Sequence, residues 1–447
     1  MWGNVNAPPG YSRLILSAAP IIAANCAVPL LGLADTAIIG HYAGVADLGA
    51  VALGSLIFSF VYWAFGFLRM TTTGFVSQSW DDALADSVVA VVARALVIAL
   101  AIATTILLTQ SLISWLAFTA FTASAAVEAL AHAYFDIRVW GAPATLLTYV
   151  CFGVLIGAGR TAALLWLQLL LNGLNILLDF IFAAHFQMGV AGIALGTVVA
   201  EYVTVAVALV YLAGMLRKRP MSVTLDLRWA RTVLLAPAPL LALVQANGNV
   251  MVRTVMLLLA FGWFTNISAG FGDAVLAANH VLLQFIAFSA FFLDGFAFVT
   301  ESFVGRAIGQ GNMKLARQVS WRCFWLAAIT ALLLALGLAL GGASAIRLLT
   351  DLPTVVEQTS TSLHWAVIYI ACSFAAFHLD GVFIGATATK GMRNAAVVAT
   401  AVFFVLAALL SRSHGNDGLW VAFVVFVIAR AVCLAVLLGR DGLKKLS

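Results

Sequence analysis

The stretch LILSAAPIIAANCAVPLLGLADTAII, residues 14–39, is apolar over almost its whole length and carries one charged side chain, Asp35. Because a helix rises about 1.5 Å per residue, about 20 apolar residues cross the hydrocarbon core of a bilayer. The stretch is too long for the apolar core of a cleavable signal peptide, and no small-residue cleavage site with a polar mature domain follows it. It therefore predicts a first membrane-spanning helix that holds a carboxylate.

The rest of the chain has the same character. Of its 447 residues, 64% are hydrophobic and 9% are charged, and the mean hydropathy is +1.07. A soluble domain does not reach such values because its surface must face water. We predict an all-α polytopic membrane protein whose twelve spans lie near residues 14–39, 47–69, 87–116, 125–149, 161–184, 189–215, 232–261, 274–300, 319–341, 355–384, 394–411 and 417–438. The spans that end near 69 and 300 have apolar residues beyond those limits.

The positive charges are distributed unequally between the two sides of these spans. Eighteen of the 23 Lys and Arg residues fall on the side of the N-terminus, and two, Arg347 and Arg412, fall on the other side. Cytoplasmic loops carry such an excess, so both termini are predicted to be cytoplasmic. The net charge of +5 is therefore an orientation signal, and we expect no nucleic-acid partner.

The two halves of the chain repeat each other. Three short motifs recur in order, at offsets of 229, 228 and 226 residues: 66–71 with 295–300, 153–158 with 381–386, and 192–193 with 418–419. Each offset spans six helices, so the halves share one orientation and are expected to enclose a cavity. The predicted domains are a six-helix lobe at 1–216, a basic cytoplasmic linker at 217–231 and a second six-helix lobe at 232–447.

Span 1 combines a carboxylate with residues that weaken a helix. Asp35 follows Pro20, Pro29 and Gly32, which remove helix hydrogen bonds or loosen packing, so the span is predicted to bend. Ionisable groups inside the membrane are costly and are usually functional. We expect Asp35 to gain and lose a proton; a structural hydrogen bond near the outer helix end is the alternative.

Span 5 carries a polar stripe. Gln168, Asn172, Asn175 and Asp179 fall within a sector of about 60° at 100° per residue. The stripe indicates a water-accessible cavity, most strongly at Asp179, whereas hydrogen bonds between helices are an equal alternative for Gln168 and Asn172. On span 6, Thr197 shares a face with Glu201 and is either an oxygen ligand or a hydroxyl bonded to its own helix.

The second half has its own polar groups. On span 8, His280, Gln284, Asp294 and Glu301 occupy a sector of about 100°. Span 7 presents Gln245, Asn249 and Arg253 on one face, and Arg253 is expected to form a structural ion pair, with Asp294 and Glu301 the nearest acids in sequence. The residues expected to line a polar cavity are Gln168, Asn172, Gln245, Asn249, Gln284, Asp294, Glu301 and Asp380.

Signatures of enzymes are missing from the sequence. There is no GxxxxGK[ST] phosphate loop and no HExxH motif. The five cysteines are isolated in apolar runs and form no CxxC pair, so neither disulfides nor structural zinc is expected. We expect no cofactor, no catalytic residue and an ion gradient as the source of energy.

Several of these segments resemble one transporter family. Residues 28–41 (VPLLGLADTAIIGH), 67–74 (FLRMTTTG), 245–249 (QANGN), 293–297 (LDGFA), 380–387 (DGVFIGAT) and 392–394 (MRN) are similar to the DinF branch of the MATE (multidrug and toxic compound extrusion) family. The resemblance spans nearly the whole chain. It implies a secondary-active exporter with two six-helix lobes, in the inner membrane of a bacterium.

The resemblance also implies a coupling site. Asp35, Asn175, Asp179 and Thr197 match the residues that form the cation site of the N-terminal lobe in this family, and Pro20 matches the proline at which helix 1 bends. Protons are the expected coupling ion, and sodium is the alternative at the same four residues. No other metal is expected.

The function expected from these observations is the export of small amphipathic, often cationic, organic molecules in exchange for protons, by a monomer in the lipid bilayer. A flippase for a lipid-linked precursor would need a strongly cationic cavity, and the basic residues avoid the membrane midplane apart from Arg138, Arg253 and Arg430. An intramembrane enzyme would need clustered His, Asp or Glu residues, and the seven histidines are dispersed. An ion channel would be revealed by single-channel conductance.

Overall fold

The computed structural model describes residues 8–42, 44–82, 85–120, 124–220 and 229–446, and these are almost entirely helical, with no β-strand among them. The predicted all-α class is confirmed. The α-helices are α1 Tyr11–Tyr42, α2 Val45–Ala64, α3 Phe67–Ser79, α4 Asp86–Leu108, α5 Gln110–Ala120, α6 Ala125–Arg138, α7 Ala142–Gly157, α8 Thr161–Asp179, α9 Gly189–Arg217, α10 Pro237–Ala269, α11 Asp273–Gly309, α12 Met313–Leu349, α13 Pro353–Gly385 and α14 Thr389–Leu446. Short non-α turns, Val139–Gly141 and Phe180–His185, follow α6 and α8.

Eleven helical stretches of the described chain are long and apolar enough to cross a membrane. The last of them contains a break, because Gly415 has φ 57° and ψ −134°, outside the helical region. The break lies between the predicted spans 394–411 and 417–438, so the helices agree with a count of twelve. The second and eighth spans extend beyond their predicted limits of 69 and 300, to Ser79 and Gly309. The apolar residues beyond those limits had indicated this.

One prediction of helix limits was wrong. The third span was expected to be continuous over 87–116, but α4 ends at Leu108 and α5 begins at Gln110. Thr109, between them, bonds through its hydroxyl to the carbonyl oxygen of Thr105. Thr104 and Thr105 make the same bond inside α4, so this bond does not explain the break, and hydropathy gives no sign of it.

The internal repeat is visible in the packing of glycines. On α7, a Cβ at Gly153 would lie 2.6 Å from the carbonyl oxygen of Arg69 in α3. On α13, a Cβ at Gly381 would lie 2.5 Å from the carbonyl oxygen of Ala297 in α11. Gly157 and Gly385 repeat the contact one turn later. The same close helix approach therefore occurs in both halves, and only glycine permits it.

The backbone turns repeat as well. Gly189 and Gly415 have φ values of 55° and 57°, in the left-handed region, and each precedes the start of a helical segment in its own half. Their spacing of 226 residues equals the offset between Gly192 and Gly418. The halves thus share a backbone path as well as sequence motifs.

The described chain forms two compact units. One comprises the described part of Met1–Ile22 together with Ala246–Ser447, and the other is Ala23–Gln245. The beginning of the chain belongs to the first unit, in which Arg322 donates to the carbonyl oxygens of Pro8 and Pro9. The predicted linker, 217–231, lies within the second unit, and its residues 221–228 are outside the described part. Just beyond it, Val233 and Leu234 accept hydrogen bonds from Arg94.

Candidate ion-coupling site

The polar stripe of α8 faces the interior of its unit. Asn175 and Asp179 are fully buried, and Gln168 and Asn172 are nearly so. Helix α9 approaches this face very closely, because a Cβ at Gly196 would lie 2.2 Å from Asp179 Oδ1. A glycine at that position therefore makes room for the carboxylate between the two helices.

Asp35 of α1 completes the cluster. Its Oδ1 lies 3.2 Å, and Asp179 Oδ2 lies 2.7 Å, from the same side-chain amide atom of Asn175, so the two carboxyl groups lie close together. No described cation forms a salt bridge with either acid. The structure thus brings together the two carboxylates that the sequence placed on different spans.

Asn175 lies between the acids and Thr197. When its NH2 group faces the acids, Nδ2 is 3.2 Å from Asp35 Oδ1 and 2.7 Å from Asp179 Oδ2, while the amide oxygen is 2.9 Å from Thr197 Oγ1. In the opposite orientation the NH2 group donates to Thr197. The orientation that suits the cluster therefore depends on whether the acids need a donor or an acceptor.

Thr197 bonds to its own helix and lies beside the cluster, while its role as an oxygen ligand stays a prediction. Its hydroxyl lies 2.9 Å from the carbonyl oxygen of Ile193 in its own helix and 2.9 Å from Asn175. It is thus bonded to α9 and also presents its oxygen to the cluster.

A buried ion pair lies beside this cluster, and sequence reasoning did not assign its partners. Arg138 donates to both oxygens of Glu201, at 2.9 and 2.6 Å, and both residues are buried. The guanidinium also lies over the rings of Phe58 and Tyr62 and is close enough to act electrostatically on Asp35 and Asp179. The sequence signal was an arginine within an apolar span, which needs a carboxylate partner.

The MatE family profile matches residues 20–181 and 249–410. These two matches cover more than half of the chain. The chain belongs to the MatE family. The two matches are offset by 229 residues at both ends (249 − 20 and 410 − 181), which confirms the internal repeat of this MATE transporter.

Individual relatives agree with the family match. DNA damage-inducible protein F of Escherichia coli is 36% identical over 95% of this chain and 91% of its own length. Protein DETOXIFICATION 44, chloroplastic, of Arabidopsis thaliana is 26% identical over 97% of this chain and 84% of its own length. The predicted class, a multidrug and toxin extrusion transporter rather than an enzyme, is confirmed.

Solved structures show the same fold. A crystal structure of MATE in the straight conformation has a TM-score of 0.86 at 19% identity, with 98% of this chain and 97% of that chain covered. The bent conformation also has a TM-score of 0.86 at 19% identity, with 97% and 95% covered. The bend predicted at Pro20 stays a prediction, since the overall likeness does not separate the two forms.

Two stripe residues of this MATE transporter bond within the protein. Gln168 Nε2 donates to Asn172 Oδ1, and Asn172 Nδ2 donates to the backbone carbonyl of Ala27 in α1, each at 2.9 Å. The bond of Asn172 joins two helices, whereas the bond of Gln168 lies within α8, and a role of either residue in lining a cavity stays a prediction. Asn172 thereby holds α1 two turns before Asp35.

The polar residues predicted for the second half do not form one cluster. Arg253 and Arg430 both face Asp380, and the Arg430 contact is 3.7 Å long. Asp294 or Glu301 was the expected partner of Arg253, and this prediction was wrong because the partner is Asp380. The order of helices along the chain does not reveal which helices are neighbours. Elsewhere in this unit, Asn249 bonds to Thr389 and Arg393, and Gln284 bonds to His280.

The remaining residues predicted to line a polar cavity are in different environments. Glu301 is buried, Asp294 is partly exposed and Gln245 is exposed. Asp294 acts electrostatically on Arg430. Their role in lining a cavity stays a prediction.

Proposed function

We propose that this MATE transporter exports small amphipathic, often cationic, organic molecules by alternating access, driven by protons that return through Asp35 and Asp179. The supporting observation is the close approach of these two carboxyl groups to one amide atom of Asn175, at 3.2 and 2.7 Å, in a site where no described cation forms a salt bridge with either acid. The protein is proposed to act as a monomer in a bacterial inner membrane with both termini in the cytoplasm.

The charges of the two acids favour a shared proton. Two negative charges roughly 6 Å apart repel by about 3 kcal/mol at an effective dielectric constant near 20, and by more if they are closer. When the site is closed to water, the pair therefore keeps one proton, because burial makes two separate charges too costly. When the site opens toward a side of low proton concentration, the proton can leave, and the cluster then requires a new donor.

Asn175 is proposed to register this change. A deprotonated pair requires hydrogen-bond donors, so the NH2 group of Asn175 turns toward the acids; a fully protonated pair requires an acceptor, so the amide oxygen does. Asn172 connects the same helix to α1 through Ala27. The protonation state can therefore bias the position of α1, as coupling requires.

Sodium is the second candidate for the coupling ion. The cluster holds carboxylate oxygens of Asp35 and Asp179, a hydroxyl oxygen of Thr197 and an amide oxygen of Asn175. Hard cations prefer oxygen ligands of these types. The amide orientation with oxygen toward the acids would serve sodium as well as a doubly protonated pair.

A flippase for a lipid-linked precursor is less well supported. It would need a strongly cationic cavity for the lipid phosphate groups. The arginines within the spans face carboxylates instead, since Arg138 pairs with Glu201 and both Arg253 and Arg430 face Asp380.

The test is efflux of a fluorescent cationic dye from everted or reconstituted vesicles, with either a pH gradient or a sodium gradient imposed. The proposal expects efflux with the pH gradient alone. Efflux that requires the sodium gradient would replace protons by sodium as the coupling ion. In that case Asn175→Ala and Thr197→Ala should lose transport strongly and recover at raised sodium, whereas proton coupling predicts much smaller losses.

A further inference from the structure

A cavity of about 600 Å³ lies at the end of α9. Its described lining consists of Trp80, Arg160, Val210, Tyr211, Gly214, Met215, Lys218 and Arg219. This volume is within the range of small-molecule sites, roughly 300–1,000 Å³. The described lining contains three cations, Arg160, Lys218 and Arg219, and no carboxylate. None of the lining residues belongs to the coupling site.

The side chain of Arg219, which lines this cavity, is held in place by two contacts. Its guanidinium lies 4.7 Å above the ring of Trp80, and its Nη2 donates to the backbone carbonyl of Asp82 at 3.0 Å. Nη1 has no hydrogen-bond partner in the protein although it is buried. Beside it, Ala85 N donates to the carbonyl oxygen of Pro220, which ties the loop after α3 to the end of α9.

The apolar part of the lining identifies the ligand as a lipid. Val210 and Tyr211 are exposed and belong to a helix that is long and apolar enough to span the membrane, so their exposed faces are suited to acyl chains. Lys218 follows two turns later on the same helix end. Tyrosine and tryptophan favour the level of the lipid head groups, and basic pockets at that level bind anionic head groups.

Acidic residues lie close to this cavity in the sequence. Asp81, Asp82 and Asp86 lie in the same loop region, but none is among the described lining residues. The carboxylate of Asp82 accepts the hydroxyl of Ser87. Among described residues, the cavity itself is therefore cationic.

We infer that the cavity bounded by Trp80, Arg160, Tyr211, Lys218 and Arg219 binds the phosphate of an anionic phospholipid. Its acyl chains would lie along the Val210 face of α9. The basic segment 217–231 is predicted to be cytoplasmic, which places this lipid in the inner leaflet. The binding does not depend on which ion drives transport.

The test is native mass spectrometry of the purified full-length protein, titrated with short-chain phosphatidylglycerol, phosphatidylcholine or the water-soluble glycerol phosphate. Arg160→Gln/Lys218→Gln removes two exposed cations from the cavity and leaves Arg219 in place. Arg217→Gln/Lys314→Gln is the matched control, because it removes two exposed cations outside the cavity.

Each cation near an anionic lipid surface is worth about a factor of five in binding. We therefore expect the cavity variant to weaken phosphatidylglycerol binding about 30-fold and the control to leave it nearly unchanged. Equal losses in both variants would reduce the effect to general surface charge and overturn the proposal, as would unchanged binding in the cavity variant. Glycerol phosphate that binds as tightly as the lipid would show a site for a soluble phosphate instead. Because this readout involves no transport, its failure would leave the proposed function untouched.

Discussion

Replacing Glu201 by Gln should lower the stability of the protein and also abolish the coupling of efflux to the pH gradient. The substitution leaves Arg138 buried without the carboxylate that accepts its two hydrogen bonds. Breaking a buried pair by removing one partner costs roughly 3–5 kcal/mol. The rings of Phe58 and Tyr62, 5.4 and 5.1 Å from the guanidinium, offset part of this, since a desolvated cation–π contact is worth about 2 kcal/mol.

The functional effect follows from the position of Arg138. Arg138 also acts electrostatically on Asp35 and Asp179. An unpaired cation would favour the ionised form of both acids, so the pair would no longer take up a proton. We expect Glu201→Gln to lose dye efflux driven by a pH gradient even where the protein is folded.

The matched variant is Arg138→Gln/Glu201→Gln, which removes both charges. Replacing both members of a buried pair is far less costly than removing one, so the double variant should recover most of the free energy of unfolding and most of the efflux. Denaturant titration in detergent and vesicle efflux measure the two quantities. If the double variant lost as much as the sum of its single variants, the pair would not be acting as a unit and the reasoning would be refuted.

Three further predictions concern other parts of the structure. Gly196→Ala should impair efflux and lower the free energy of unfolding by about 1–3 kcal/mol through overpacking, because its Cβ would meet Asp179. Gly173→Ala is the control, since a Cβ there has open space, and it should leave efflux unchanged and stability unchanged or slightly raised. Equal effects of the two variants would contradict the contact between Gly196 and Asp179. Asn172→Ala should lower the free energy of unfolding by about 1 kcal/mol, because the Ala27 carbonyl loses its hydrogen bond. Efflux should fall less than when Asp35 or Asp179 is replaced by Asn, and a complete loss of efflux would assign Asn172 a role in coupling. Reporter fusions at the C-terminus and in 217–231 should both give cytoplasmic signals, and a periplasmic signal at either would overturn the predicted topology.

Hydropathy and the internal repeat predicted the fold class and the helix count. Lipid imposes long apolar helices, and the repeated motifs mark positions such as Gly153 and Gly381, where two helix backbones touch. The break between α4 and α5 was missed because the mostly apolar sequence continues across residue 109. Residues 8–22 were assigned to the N-terminal lobe, yet the contacts of Pro8 and Pro9 with Arg322 join segments more than 300 residues apart.

The candidate site was predicted in part. Periodicity placed Asn175 and Asp179 on one face of span 5, and Asp35 and Thr197 were recognised as polar groups within other spans. The family resemblance then predicted that the four form one site. The partners of Arg138, Arg253 and Arg430 could not be predicted, because sequence shows that an intramembrane arginine needs an acid but not which helix supplies it. Which helix supplies the acid depends on which helices pack against each other, and the order of helices along the chain does not determine that packing.

The most direct test of proton coupling compares Asp35→Asn, Asp179→Asn and the double variant in pH-gradient-driven dye efflux, with substrate binding measured in parallel. An amide cannot be titrated, so each single variant should insert, bind dye and lose efflux. Since the two acids share one proton, the double variant should be little worse than either single variant. Losses that add in the double variant, or full efflux by Asp35→Asn, would contradict the account of a coupled pair.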